Sequence, residues 1–210
     1  MPRVSEVDET ELPDDLAALH RKFSGPYGDF TNQLRVLAHS PDAFRHLYGL
    51  IDDWRTRGTL PQRIVEIAVV TTSEANACPY CIGHHGTALV ELGLSADTVT
   101  HILEPEPPGF DDRDLAVRDY ARLLTERAWG IPDAVFERLR RHFADREIVE
   151  LTVRIGICSL FNKLNQALQI EMEDAVLARM ADAGLTVTKP PDERAGSTRD
   201  MGKAQTVPKL

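Results

Sequence analysis

Three cysteines among 210 residues are too few for a disulfide scaffold in a chain of this size. Positive charge is also short: 24 Lys and Arg against 33 Asp and Glu leave a net charge of −9. That balance argues against nucleic acid or an anionic membrane surface as the main partner. Long apolar runs are missing, and none approaches the roughly 18 residues of a transmembrane helix. The N-terminal stretch carries Glu6, Asp8, Glu9, Glu11, Asp14 and Asp15 with no apolar run, so nothing there resembles a signal peptide. The expected place is the cytoplasm, where thiols stay reduced. His20, His39, His46, His101 and His142 show no metal-ligand spacing. What remains is an ordinary soluble composition, 42% hydrophobic and 27% charged, long enough to bury one sizeable core.

The pattern along that core is helical. Residues 1–13 read as a disordered acidic arm, and the polar stretch 188–210 as a disordered tail. Between them, 14–187 reads as a single all-α domain, a helical bundle. Ser40-Pro41, Pro61, Cys78-Pro79, Ser95, Asp111 and Pro132 each open a helix. Arg146–Gln169 is long and apolar around its whole circumference, more than one small domain covers, which predicts a homo-oligomer. Ile64–Val70 and Val149–Ile155 are rich in β-branched residues and partly alternate. Each lies in a longer proline-free stretch without a hairpin turn, so helix is the reading for both. Ile64-Val-Glu-Ile-Ala-Val69 is echoed by Ile148-Val-Glu-Leu-Thr-Val153. Two related helical halves would leave such an echo, and so would chance.

In a reducing compartment Cys78-Pro-Tyr-Cys81 reads as redox-active or metal-binding before it reads as a staple. With Cys78 at the N-cap and Pro79 at the first helical position, Cys81, His85, Ala88 and Leu92 share one inward face. An unperturbed thiol is only about 3% ionised at neutral pH, and the thiolate is the nucleophile. A helix N-terminus and a neighbouring imidazole both favour the anion. The spacing of the two cysteines lets one thiol attack a sulfenic acid formed on the other. Glu66 interrupts an apolar run, needs a partner if buried, and has His85 as its candidate.

The spacing Glu66, Cys78, Cys81, His85 resembles the signature of the alkylhydroperoxidase D-like proteins of the carboxymuconolactone decarboxylase superfamily. Thr59-Leu-Pro-Gln-Arg63 and Asn76-Ala-Cys-Pro-Tyr-Cys-Ile-Gly-His-His85 are similar to its peroxidase-related branch, and the likeness extends from about Asn32 to Asn165. The resemblance implies an all-α fold, a trimer or hexamer, and reduction of a hydroperoxide without metal or flavin. It implies that Cys81 is the peroxidatic cysteine and Cys78 the resolving one. His85 and Glu66 would relay the proton, and an external dithiol or protein would supply the electrons. One position departs: well-known members carry a histidine just before the second cysteine, where this chain has Tyr80.

Other readings compete. Cys78, Cys81 and His85 would make three zinc ligands, but a fourth is not evident unless His84 or Cys158 supplies it, and the helical setting is wrong for a zinc knuckle. Glu66 has Arg63 as an alternative surface partner. Cys158 reads as a small core residue. His84 reads as solvent-facing or at a subunit contact, and Trp54 and Trp129 as helix-end packing. At the level of function, the rivals are a non-redox relative acting on a small lactone or acid, and a helical assembly whose cysteine pair senses redox state.

Overall fold

A computed structural model describes residues 2–25 and 28–186. The tail expected over 188–210, with residue 187, lies outside the described residues. Among the described residues ten α-helices follow one another: α1 (Asp14–Phe23), α2 (Thr31–Leu37), α3 (Pro41–Arg57), α4 (Gln62–Ala75), α5 (Pro79–Glu91), α6 (Ala96–Thr100), α7 (Asp112–Arg127), α8 (Asp133–Arg140), α9 (Asp145–Leu168) and α10 (Asp174–Asp182). No strand occurs among the described residues. The fold is therefore an all-α bundle, as the sequence predicts.

Local chemistry accounts for the helix starts. Pro41 and Pro79 occupy first-turn positions, where the missing N–H costs nothing. Ser95 Oγ accepts the Thr98 N–H at 3.0 Å at the head of α6. Asp111 and Asp114 cap α7 reciprocally, at 2.8 and 3.3 Å. Both β-branched stretches are helical. Ile64, Ile67, Ala68 and Val70 of α4 are all buried, inside a core shared with α5, α7, α9 and α10. A segment covered on nearly every side has no polar face to betray its period, so length decides between strand and helix.

That large cluster is one of three among the described residues. α1, α2 and α3 form a smaller one around Leu16, Phe23, Leu34, Phe44 and Tyr48, closed by Phe161 of α9. The two cysteines, with Val36, Tyr80 and Ile170, form a third and smallest apolar group. α4 and α9, which carry the echoed hexapeptide, pack against each other. On its outer side α9 leaves Val149, Val153 and Leu160 exposed.

The N-terminal arm differs from expectation. Residues 1–13 were expected to be disordered, yet the described part of that arm is docked. Arg3 N–H donates to Leu168 O at 2.8 Å and Val7 N–H to Arg35 O at 3.1 Å. Val7 and Leu12 pack on the smaller core. Two apolar anchors and a pair of backbone hydrogen bonds offset the ordering cost that the acidic composition suggested was unmet.

Asp114 ties the fold together near α7. It is buried, completes the capping box, and accepts from Arg63 Nη2 at 2.6 Å and Nε at 3.2 Å. Asp114→Ala removes a cap and strands a half-buried guanidinium. It should destabilise the protein by about 2 kcal/mol, seen as a lower urea midpoint with an unchanged slope.

Candidate active site

α4 ends at Ala75, and the chain must turn into α5 within three residues. Cys78 N–H reaches back to Ser73 O and Ala77 N–H to Glu74 O, both at 2.9 Å. This closure puts Ala77 at φ +49°, a left-handed conformation that costs an alanine about 1 kcal/mol. α9 holds the turn in place. Asn76 Nδ2 donates to Asn162 Oδ1 at 2.9 Å, and Gln166 Nε2 donates to Asn76 O at 3.0 Å. Cys78 is thereby fixed as the extended N-cap residue of α5.

The turn brings the two sulfurs together. Cys78 and Cys81 are free thiols with Sγ atoms 3.2 Å apart. They titrate as one unit. The hydrogen bond between the sulfurs draws Cys78 below the ordinary thiol range, with burial opposing it. The same bond, then burial and the repulsion of the first charge, push Cys81 well above that range. A second ionisation within the pair is the expensive one, because the first charge lies 3.2 Å away.

Glu66 pairs with His85: its Oε2 lies 2.7 Å from His85 Nδ1. The carboxylate is the natural acceptor, so Nδ1 carries the proton and Nε2 is left as the basic nitrogen. The surface alternative for Glu66 does not hold, because Arg63 is committed to Asp114. The echoed Glu150 has other work, accepting from Thr59 N at 3.0 Å and from Arg154 at 2.8 Å.

A cavity of about 430 Å³ joins these groups, and Glu66, His85 and Cys81 all line it. Cys78 does not; it is fully buried behind Cys81. Among the described residues no direct hydrogen bond joins Cys81 to His85, so the two face a common space rather than each other. Phe23, Phe30, Tyr48, Trp54 and Phe161 supply aromatic wall, and Arg154 closes it from above the Trp54 ring, 4.4 Å from its centroid. Trp54, expected to be mere helix-end packing, is therefore part of the cavity, whereas Trp129 is 92% exposed. No group of three or more His, Cys, Asp or Glu among the described residues is arranged to hold a metal ion.

This arrangement lies largely in a segment with known relatives. Residues 41–122 match the Carboxymuconolactone decarboxylase family. The crystal structure of a peroxidase-related alkylhydroperoxidase AhpD core from Ralstonia eutropha superposes with a TM-score of 0.73 at 28% identity, covering 83% of this chain and 94% of that one. A putative antioxidant defence protein AhpD from Agrobacterium tumefaciens gives a TM-score of 0.60 at 28% identity, over 66% of this chain and 95% of that one. The protein YnjA of Escherichia coli is 25% identical over 173 residues, 81% of this chain and 92% of its own length. Over residues 41–122 the chain thus carries a carboxymuconolactone decarboxylase family segment, and its fold is similar to that of the alkylhydroperoxidase D-like structures. The debrominase Bmp8, at 18% identity and a TM-score of 0.71, has the same fold over 86% of this chain and 97% of its own.

Against that likeness, the departure at Tyr80 has a visible consequence. The Tyr80 hydroxyl donates to Glu173 Oε1 at 2.9 Å, and the Asn32 N–H donates to the same oxygen at 2.8 Å. Glu173 Oε2 lies 2.9 Å from His84 Nε2. His84 is thus buried rather than solvent-facing, stacked on Phe30 at 4.4 Å between centroids. Burial holds its pKa below the usual imidazole value, the contact with Glu173 opposing. Its helix position looks outward only if α5 is taken alone; the segment before α10 covers that side. Sequence reasoning missed Glu173 because no spacing connects a residue before α10 to one on α5.

Cys158 also lines the cavity, its Sγ 3.4 Å from Ser73 Oγ. Burial pushes its thiol up to about 12, so below that pH it stays a neutral, unreactive thiol. In a Cys78→Ser, Cys81→Ser protein, iodoacetamide at pH 8 should label the folded chain at least about a hundredfold more slowly than the wild type. Mass spectrometry of the labelled protein reads this directly.

Proposed function

We propose that the protein is a thiol-dependent peroxidase that reduces hydroperoxides through Cys81 and Cys78. The observation that carries the reading is that Cys81 alone of the pair lines the cavity, and shares it with the Glu66–His85 pair. The Cys81 thiolate attacks the terminal peroxide oxygen; the O–O bond breaks, Cys81 becomes a sulfenic acid, and the alcohol leaves. His85, oriented by Glu66, handles the proton that the thiol loses and the alkoxide takes. Cys78, 3.2 Å behind, then attacks the sulfenic sulfur, expelling water and forming the disulfide. An external dithiol or protein reductant returns both thiols. The exposed Val149, Val153 and Leu160 of α9 favour a homo-oligomer, a trimer or hexamer by family resemblance.

The aromatic walls support a second reading. Bmp8 is a debrominase with a structure in complex with 2,3,4-tribromopyrrole, and the cavity here would accept a planar halogenated ring. The Cys81 thiolate would then take halogen from the ring, whose carbon takes up a proton, and Cys78 would displace halide from that sulfur to form the disulfide; halide release from such a ring, without peroxide consumption, would select that chemistry.

Peroxide consumption should be abolished in Cys81→Ser whatever dithiol is supplied. Cys78→Ser should complete one sulfenic acid per chain, trappable by dimedone, and then stop. Sulfenic acid trapped on Cys78 in the Cys81→Ser protein would reverse the two roles. Glu66→Gln and His85→Ala should each slow peroxide reduction about a hundredfold. The double variant should be little worse than either single one, because the two act in series. Multiplying losses would instead make Glu66 a structural residue.

A further inference from the structure

A polar chain runs through the smaller apolar core and ends on a sulfur. The Tyr48 hydroxyl donates to Gln33 Oε1. Gln33 Nε2 donates to Asn165 Oδ1 at 2.7 Å. Asn165 Nδ2 donates to Cys81 Sγ at 3.2 Å. Gln33, Tyr48 and Asn165 are each at most 3% exposed, and such groups are tolerated in an apolar setting only when satisfied. Mutual satisfaction alone does not require the chain to end at the cysteine of the pair that lines the cavity.

Direction is built into the chain. Phe23, Phe44 and Phe161 pack around the Tyr48 ring at 4.8, 5.4 and 5.6 Å between centroids. Burial pushes the phenol well above its ordinary pKa, so it remains a donor at all working pH. A fixed donor at Tyr48 obliges Gln33 to present oxygen to it and nitrogen to Asn165. Asn165 must then present its oxygen to Gln33, which turns its NH2 towards Cys81. The amide cannot flip without leaving two donors face to face. A neutral thiol is a weak acceptor and a thiolate a strong one, so a fixed donor favours the charged form.

We propose that Asn165, oriented by Gln33 and through it by Tyr48, is a positioning residue that stabilises the thiolate form of Cys81. This deepens the reading of Cys81 as the attacking thiol and rests on it. No proton passes along the chain; Asn165 supplies a dipole, not a base.

The test is a titration of thiolate absorbance at 240 nm, with iodoacetamide kinetics, on the reduced full-length protein in a Cys78→Ser background. Cys81 is then the thiol that titrates first, since Cys158 ionises only near 12. Asn165→Leu should raise the Cys81 midpoint by about one pH unit and slow alkylation at pH 7 about tenfold. Asn165→Asp, which keeps the shape but replaces donor with carboxylate, should raise it at least as far. Tyr48→Phe, which deletes one oxygen and frees the Gln33 amide to turn, should slow alkylation about threefold. An unchanged midpoint in the folded Asn165 variants overturns the proposal. If neither Asn165 variant folds, an unchanged Tyr48→Phe midpoint overturns it. Alkylation consumes no peroxide, so a protein that fails as a peroxidase still reports the shift, and a missing shift leaves the peroxide assay standing.

Discussion

Two free sulfurs 3.2 Å apart at the head of a helix are the contact on which the surrounding structure depends. Bringing them together requires the tight turn after α4, and that turn requires a left-handed Ala77. A strained alanine persists only where its neighbours over-determine it. Asn162 and Gln166 of α9 do that through Asn76, so the longest helix braces a three-residue loop. Sulfurs placed this deeply carry a negative charge only if donors reach them, which explains amides in a helix otherwise composed for a core.

The same economy of buried polarity shapes the cavity. Glu66 and Glu150 sit at equivalent places in the echoed hexapeptides, and both are nearly buried. Their partners divide their roles. Glu150 accepts from a loop backbone and from Arg154, which fastens the chain before α4 to α9. Glu66 accepts from an imidazole that faces the cavity, which places it at the cavity wall. Glu173 is a third buried carboxylate, bound to Tyr80, Asn32 and His84. It seats the segment before α10 over α5. Close approach is eased there by Gly83, where an added Cβ would lie 2.6 Å from Met172 Cε.

Much of this was legible in residue order. Proline, serine and aspartate at helix starts act locally, so α3 to α8 could be placed from their starts, and α9 from its long proline-free apolar run. Glu66, Cys78, Cys81 and His85 were legible because each lies at a helical spacing from the next or interrupts an apolar run. α1, α2 and α10 passed unremarked, and they bring Phe23 and Gln33 to the cavity wall and seat the segment that carries Glu173. The docked N-terminal arm was misread because acidic residues outnumber its two apolar anchors in the sequence, although those anchors decide where it lies.

The sequence by itself determined the helices, the pairing of the cysteines in one turn, and the inward face shared by Cys81 and His85. Those are consequences of the 3.6-residue period and of capping, which operate over a few residues. Tertiary structure decided which sulfur meets the cavity, that Glu66 meets His85 and not Arg63, and that Tyr80 and His84 meet Glu173. It also decided that Asn165 reaches Cys81 from 84 residues away. These pairings depend on how helices far apart in the chain pack, and on buried polar groups finding partners wherever packing brings one within reach.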